Sequence, residues 1–141
     1  MNSLKAILLI VAILFPLQAL AADLVGEYDG QVKHVDGYSG KVGDPCVASI
    51  TQSESIGGIL KFSLNGAETL EFEQKKVNDA LQSGKKKVEL LNKGGTFGRD
   101  IEVANLSLGN DGTLKFLKLT RKYPFKSSFN KSIACSDLKK R

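Results

Sequence analysis

Two glycine turns set between runs of alternating residues constrain this 141-residue chain more than any other feature. Asn65-Gly66 separates Ile59–Leu64, which carries Leu60, Phe62 and Leu64 on one side, from residues 68–74, which carry Leu70 and Phe72 on one side. Apolar residues at every second position lay one face of a strand on a core. An Asn-Gly pair supplies the two positive-φ positions that a tight hairpin needs. Gly109-Asn110-Asp111-Gly112 plays the same part between residues 99–108 and 113–121. Two such hairpins commit the chain to antiparallel β structure.

Three further strands follow from the same period. Residues 24–34 align Leu24, Tyr28 and Val32 with Gly26 and Gly30 between them, residues 46–53 align Cys46, Ala48 and Ile50, and residues 88–91 form a short apolar run. Between 77 and 84 the period changes, with Val77, Ala80 and Leu81 on one helical face and Gly84 as a stop, so a short helix is expected there. Residues 127–136 fit either a strand, through Phe129, Ile133 and Cys135, or a helix, through Phe125, Phe129 and Ile133. Residues 139–141 read as a frayed tail. The sum is seven strands, or eight if the last segment pairs, with one helix: an all-β domain, expected as a small antiparallel barrel, with a β-sandwich as the alternative. Inward glycines favour the barrel, and so does a slip of phase in each strand of the second hairpin. Ile101 and Val103 disagree with Leu106 and Leu108, and Leu114 and Phe116 disagree with Leu117 and Leu119. A bulge in each strand would restore one face and curve the sheet. Coverage of both faces, by a partner or a bound apolar molecule, is the other explanation.

Residues 1–21 have the form of a cleaved secretory signal: Lys5 in a short first region, an apolar run over 6–17, and Ala19-Leu20-Ala21 at the cleavage site. The run falls short of the roughly 20 apolar residues a spanning helix needs, so no stable membrane insertion is expected after cleavage. The expected product is one domain, residues 22–141, in a periplasm or outside the cell. In that oxidising setting the only two cysteines, Cys46 and Cys135, should form a disulfide.

Charge is unevenly spread. Residues 22–111 hold 10 basic and 14 acidic residues, a net of −4, whereas residues 112–141 hold 9 basic and one acidic, a net of +8. Such a basic third can draw acidic partners. Lys115, Lys118, Arg121, Lys122, Lys126 and Lys131 surround Tyr123 and Phe125, a mixture that suits anionic polymers. No nucleic-acid motif accompanies it, and export argues against a nucleic-acid partner. The loop at 36–45 carries Tyr38 and Lys41, and the loop at 92–98 carries Phe97, the composition of recognition loops.

Catalytic chemistry finds little support. His34 is the only histidine, falls in the inward phase at a strand end, and has no second imidazole or free thiolate to complete a zinc site. Glu71 and Glu73 alternate with Leu70 and Phe72 and so read as a solvated face, although Glu68 beside them invites comparison with a carboxylate pair. Asn110-Asp111-Gly112 lacks the remaining ligands of a calcium loop. Gly40-Lys41 misses phosphate-loop spacing. No nucleophile–base–orienter set can be assembled, so no enzyme, cofactor or metal is expected.

Gly26-Glu27-Tyr28 resembles the Gly-x-aromatic opening of lipocalin-type barrels, with tyrosine where that family usually has tryptophan; the match covers five residues, Leu24 to Tyr28. The chain is also similar to small periplasmic lysozyme-inhibitor barrels in size, signal peptide and single disulfide, with Ser39-Gly40-Lys41 as the only trace of their Ser-Gly-rich motif. The expected function is therefore an exported, non-enzymatic binding protein that recognises a protein or an anionic envelope polymer through Tyr38, Lys41, Phe97, Arg121, Lys122, Tyr123 and Phe125. The alternative is a lipocalin-like carrier of a small apolar ligand in a cavity lined by Tyr28, Leu60, Phe62 and Phe116. Oligomeric state is not legible.

Overall fold

The computed structural model describes residues 20–53, 58–93 and 100–141. Eight antiparallel strands wrap into a nearly closed barrel. They are β1 (Gly26–Asp36), β2 (Pro45–Ser53), β3 (Ile59–Leu64), β4 (Glu68–Glu73), β5 (Lys87–Lys93), β6 (Ile101–Leu108), β7 (Leu114–Lys122) and β8 (Lys131–Lys140). Their order is β4-β3-β2-β1-β8-β7-β6-β5, so the first and last strands are paired. The segment whose pairing was open in the sequence is thus a strand from Lys131, preceded by a single 3-10 turn at Ser127–Phe129. The expected frayed tail is strand as far as Lys140, and Arg141 is held by two hydrogen bonds to the Asp29 carboxylate at 2.8 and 2.9 Å.

Among the described residues two helices complete the barrel. Helix α1 (Ala21–Leu24) buries Ala21 and Leu24, and the Tyr28 hydroxyl donates to the Leu24 carbonyl at 2.7 Å. Leu24 therefore plugs the barrel from a helical turn instead of opening the first strand. The expected signal sequence, residues 1–21, falls outside the described residues as far as residue 19. Helix α2 (Gln74–Leu81) runs between β4 and β5, the one pair of sheet-edge strands, and turns Val77 and Leu81 inward. Side chains stitch that gap: Lys76 Nζ donates to the Leu91 carbonyl and Asn92 Nδ2 to the Glu71 carbonyl, both at 2.6 Å. A sheet edge masked in this way is not left as a template for another chain.

Leucines and two phenylalanines fill the interior. Phe62 and Phe72 meet edge to face, 5.8 Å between ring centres, and Leu60, Leu64, Leu70, Leu90, Leu106, Leu117 and Leu119 are fully buried around them. Tyr28, Leu60 and Phe62, three of the four residues expected to line a cavity, are packed into this core. Phe116 lies elsewhere: it is half-buried in a shallow outer groove with Lys87, Glu89, Asn105 and Ser107.

Cys46 and Cys135 form the expected disulfide, with Cα atoms 6.2 Å apart. Gly30 pairs with Cys46 and Val32 with Cys135, so the bond joins β2 to β8 across their shared neighbour β1. In a flat sheet such strands stand about 9–10 Å apart, so the sheet is folded sharply here. Three bulges allow the bend. One is in β8 at Asp137, a non-glycine residue at φ 55°, one in β1 at Lys33, and one in β7 at Lys115. Gly30 faces the first of these, and a Cβ there would stand 2.5 Å from the Ser136 carbonyl oxygen. The Lys33 bulge turns His34 outward, against its sequence phase, so that Nε2 lies 2.8 Å from Ser132 Oγ. The Lys115 bulge accounts for the phase slip in β7. Strand β6 keeps an unbroken register with β5, so its slip has no bulge behind it: Ala104 and Leu106 face the core, and Val103 packs on the outer face between Leu91 and Thr120.

Candidate functional site

Strand direction decides which loops meet. The β1–β2 loop, the β3–β4 turn, the start of β6 and the β7–β8 connection all lie at one end of the barrel. Tyr38 and Lys41, on the first of these, therefore share a rim with Arg121 and Lys122 at the end of β7 and with Tyr123 and Phe125 beyond it. Phe97, expected with them, lies outside the described residues.

The floor of this rim is a charged cluster inside the barrel mouth. Arg121 continues the inward phase of Leu117 and Leu119 and is largely buried instead of presented to solvent. Its Nη2 donates to Glu68 Oε1 at 3.0 Å and lies 3.7 Å from Glu102 Oε2, while Nη1 lies 3.6 Å from Asp100 Oδ2. Glu68 and Asp100 are buried, and the Tyr38 hydroxyl donates to Glu68 Oε2. Burial, followed by the Glu68 carboxylate, pushes the Tyr38 hydroxyl far above the ordinary phenol range, so it remains a donor at any physiological pH. Burial also raises the Glu102 carboxyl; Arg121 opposes the shift, while Glu68 and Asp100 add to it.

Four elements are thereby tied to one guanidinium: β4 through Glu68, β6 through Glu102 with Asp100 just before it, β7 through Arg121 itself, and the β1–β2 loop through Tyr38. A forked, always-charged group suits this junction because it can engage several carboxylates at fixed angles. No group of His, Cys, Asp and Glu among the described residues has the arrangement to hold a metal ion. What the cluster does is fix the loops above it.

Those loops present apolar tips. Five large apolar residues are exposed among the described residues, and the three most exposed, Phe125 (77%), Val42 (66%) and Phe129 (54%), are all on this rim. Lys126 lies 5.5 Å over the Phe129 ring and Lys131 5.5 Å over the Tyr38 ring. Lys41 is exposed at the tip of a turn closed by its own N–H bond to Asp44 Oδ2, 2.9 Å. Tyr123 is half-buried, its N–H donating to Asn130 Oδ1 at 2.8 Å. The described residues among those expected to bind do lie on one rim, but the sequence did not single out Val42 and Phe129 as exposed tips, nor Glu68, Asp100 and Glu102 as partners of Arg121.

The opposite end differs. A cleft of about 440 Å³ opens there over Tyr28, Leu114 and Leu138, with Lys115, Lys139 and Lys140 at its margin. Among the described residues no helix is long and apolar enough to cross a membrane, and the buried disulfide suits an oxidising compartment. The chain matches no known family model, no curated protein and no solved structure.

Proposed function

We propose that the protein is an exported, non-enzymatic binding protein of a cell envelope, and that it recognises its partner, a protein or an anionic envelope polymer, through the rim formed by the β1–β2 and β7–β8 loops. The observation that carries this reading is the convergence of Val42, Phe125 and Phe129 with exposed lysines above a cross-linked charged floor. Exposed apolar side chains gathered on one face mark an interaction site more often than singly scattered ones do. Rigid support beneath a recognition surface lowers the ordering cost of binding. A basic setting adds attraction for anionic groups.

The carrier alternative has less behind it, because Tyr28, Leu60 and Phe62, expected to line a hollow interior, are packed into the core and Phe116 lies outside it. A photo-crosslinking amino acid placed at position 125, and in a second variant at position 111 at the other end, tests the rim in living cells. Adducts with an envelope component from position 125 and none from position 111 are expected. Equal adducts from both ends, or none from either, would remove the proposal.

A further inference from the structure

The stretch from Lys122 to Lys131 has a chemistry of its own. Its ten residues hold three lysines, two phenylalanines and a tyrosine, and no acid. Phe125 and Phe129 stand at the tip of the connection, each more than half exposed, and Lys122, Lys126 and Lys131 are exposed around them. Both phenylalanines lack a polar handle, so water is the poorest environment for them and a folded protein groove is not the only better one. Lys126, beside the Phe129 ring, keeps its charge at the level of the ring face.

We infer that this connection docks the barrel on an anionic lipid bilayer, with Phe125 and Phe129 entering the boundary between headgroups and acyl chains and the three lysines lying among acidic headgroups. The inference rests on the rim as the binding surface and goes beyond the partners proposed for it, to a lipid surface. Apolar tips ringed by cations are the means by which a protein lies on a membrane surface without spanning it. Near an acidic leaflet each lysine strengthens partition by about fivefold, an effect that salt screens. Arg121 does not join in, being occupied inward by Glu68, Asp100 and Glu102. Of the exposed rim acids, Asp36 ends β1 opposite Ser132, and Asp44 is on the neighbouring loop, where it closes the Lys41 turn. Tyr38 and Gly37 brace the docking loop from that side: a Cβ on Gly37 would meet Lys131 Cγ at 2.9 Å.

The test is co-sedimentation with vesicles of phosphatidylcholine alone and of phosphatidylcholine with phosphatidylglycerol. Protein recovered from the envelope of producing cells is used, after its N-terminus has been sequenced so that all variants are compared in one form. Partition onto the acidic vesicles, at least tenfold weaker on neutral ones and falling as salt rises, is expected. Phe125→Ser with Phe129→Ser should lower it at least tenfold, and Lys122→Glu with Lys126→Glu at least as much. Lys115→Glu with Lys139→Glu, at the other end, should lower it less than threefold, and circular dichroism confirms the fold of each variant. Equal partition onto both vesicle types, or no effect of either rim pair, would overturn the inference. Capture of an envelope protein through position 125 with no vesicle binding would overturn it too, while leaving the proposed rim function standing.

Discussion

Arg121 shows how one side chain can organise a mouth of the barrel. Replacing it by methionine would leave Glu68 and Asp100 buried with no cation, and breaking a buried pair from one side costs about 3–5 kcal/mol, reduced here to about 2–3 because Arg121 keeps some contact with water. Urea unfolding should show that loss, with Arg121→Lys recovering little of it because an ammonium lacks the fork. Glu102 should behave in the opposite way. Its folded-state proton is held more tightly than an unfolded chain would hold it, so its contribution favours the folded state at acid pH and fades as pH rises through the raised value. Glu102→Gln should therefore leave stability unchanged or higher at pH 8, with the gain shrinking toward pH 4, as unfolding midpoints across that range would report. Gly30 makes a steric case: alanine there collides with the Ser136 carbonyl, and a loss of about 1–3 kcal/mol is expected from denaturation with the disulfide intact.

At the scale of elements, β8 is the closure, since it alone pairs the first half of the chain, through β1, with the second half, through β7. The disulfide spans 89 positions, and in the chain-entropy account a loop of that length adds about 4–5 kcal/mol. Reduction should release β8 from β1 first, with hydrogen exchange rising in 131–140 and 26–36 before it rises in the β3–β4 and β6–β7 hairpins. Simultaneous opening of all four would mean that the disulfide holds the whole sheet together.

Those hairpins were legible because Asn65-Gly66 and Gly109 to Gly112 are local signals. The pairing of β8 was not, because Phe129, Ile133 and Cys135 fit a strand as well as Phe125, Phe129 and Ile133 fit a helix, and nothing local decides between the two periods. The charged floor was half legible. Glu68 precedes Leu70 and Phe72 by an even step, Glu102 precedes Ala104 and Leu106, and Arg121 follows Leu117 and Leu119, so each lies in the inward phase of its strand. Carrying the alternation past the last apolar residue would have found all three. His34 warns against doing so blindly, since a single bulge at Lys33 reverses its side.

The whole molecule has two unlike ends. One carries the protruding phenylalanines over ion-paired side chains; the other carries both described chain ends, α1 and Arg141, beside the cleft. Because β1 waits for β8, no partial product of synthesis can close the sheet: six of its seven pairings join strands consecutive in the chain, and the seventh, β1 with β8, spans nearly the whole described domain. Topologies of that kind fold in milliseconds to seconds, slowly by the standard of small domains. A nascent chain that still lacks Lys131–Lys140 can pair β1 to β4 and β5 to β7 but has nothing to join the two halves, and the seam is drawn shut only when Cys135 arrives beside Cys46.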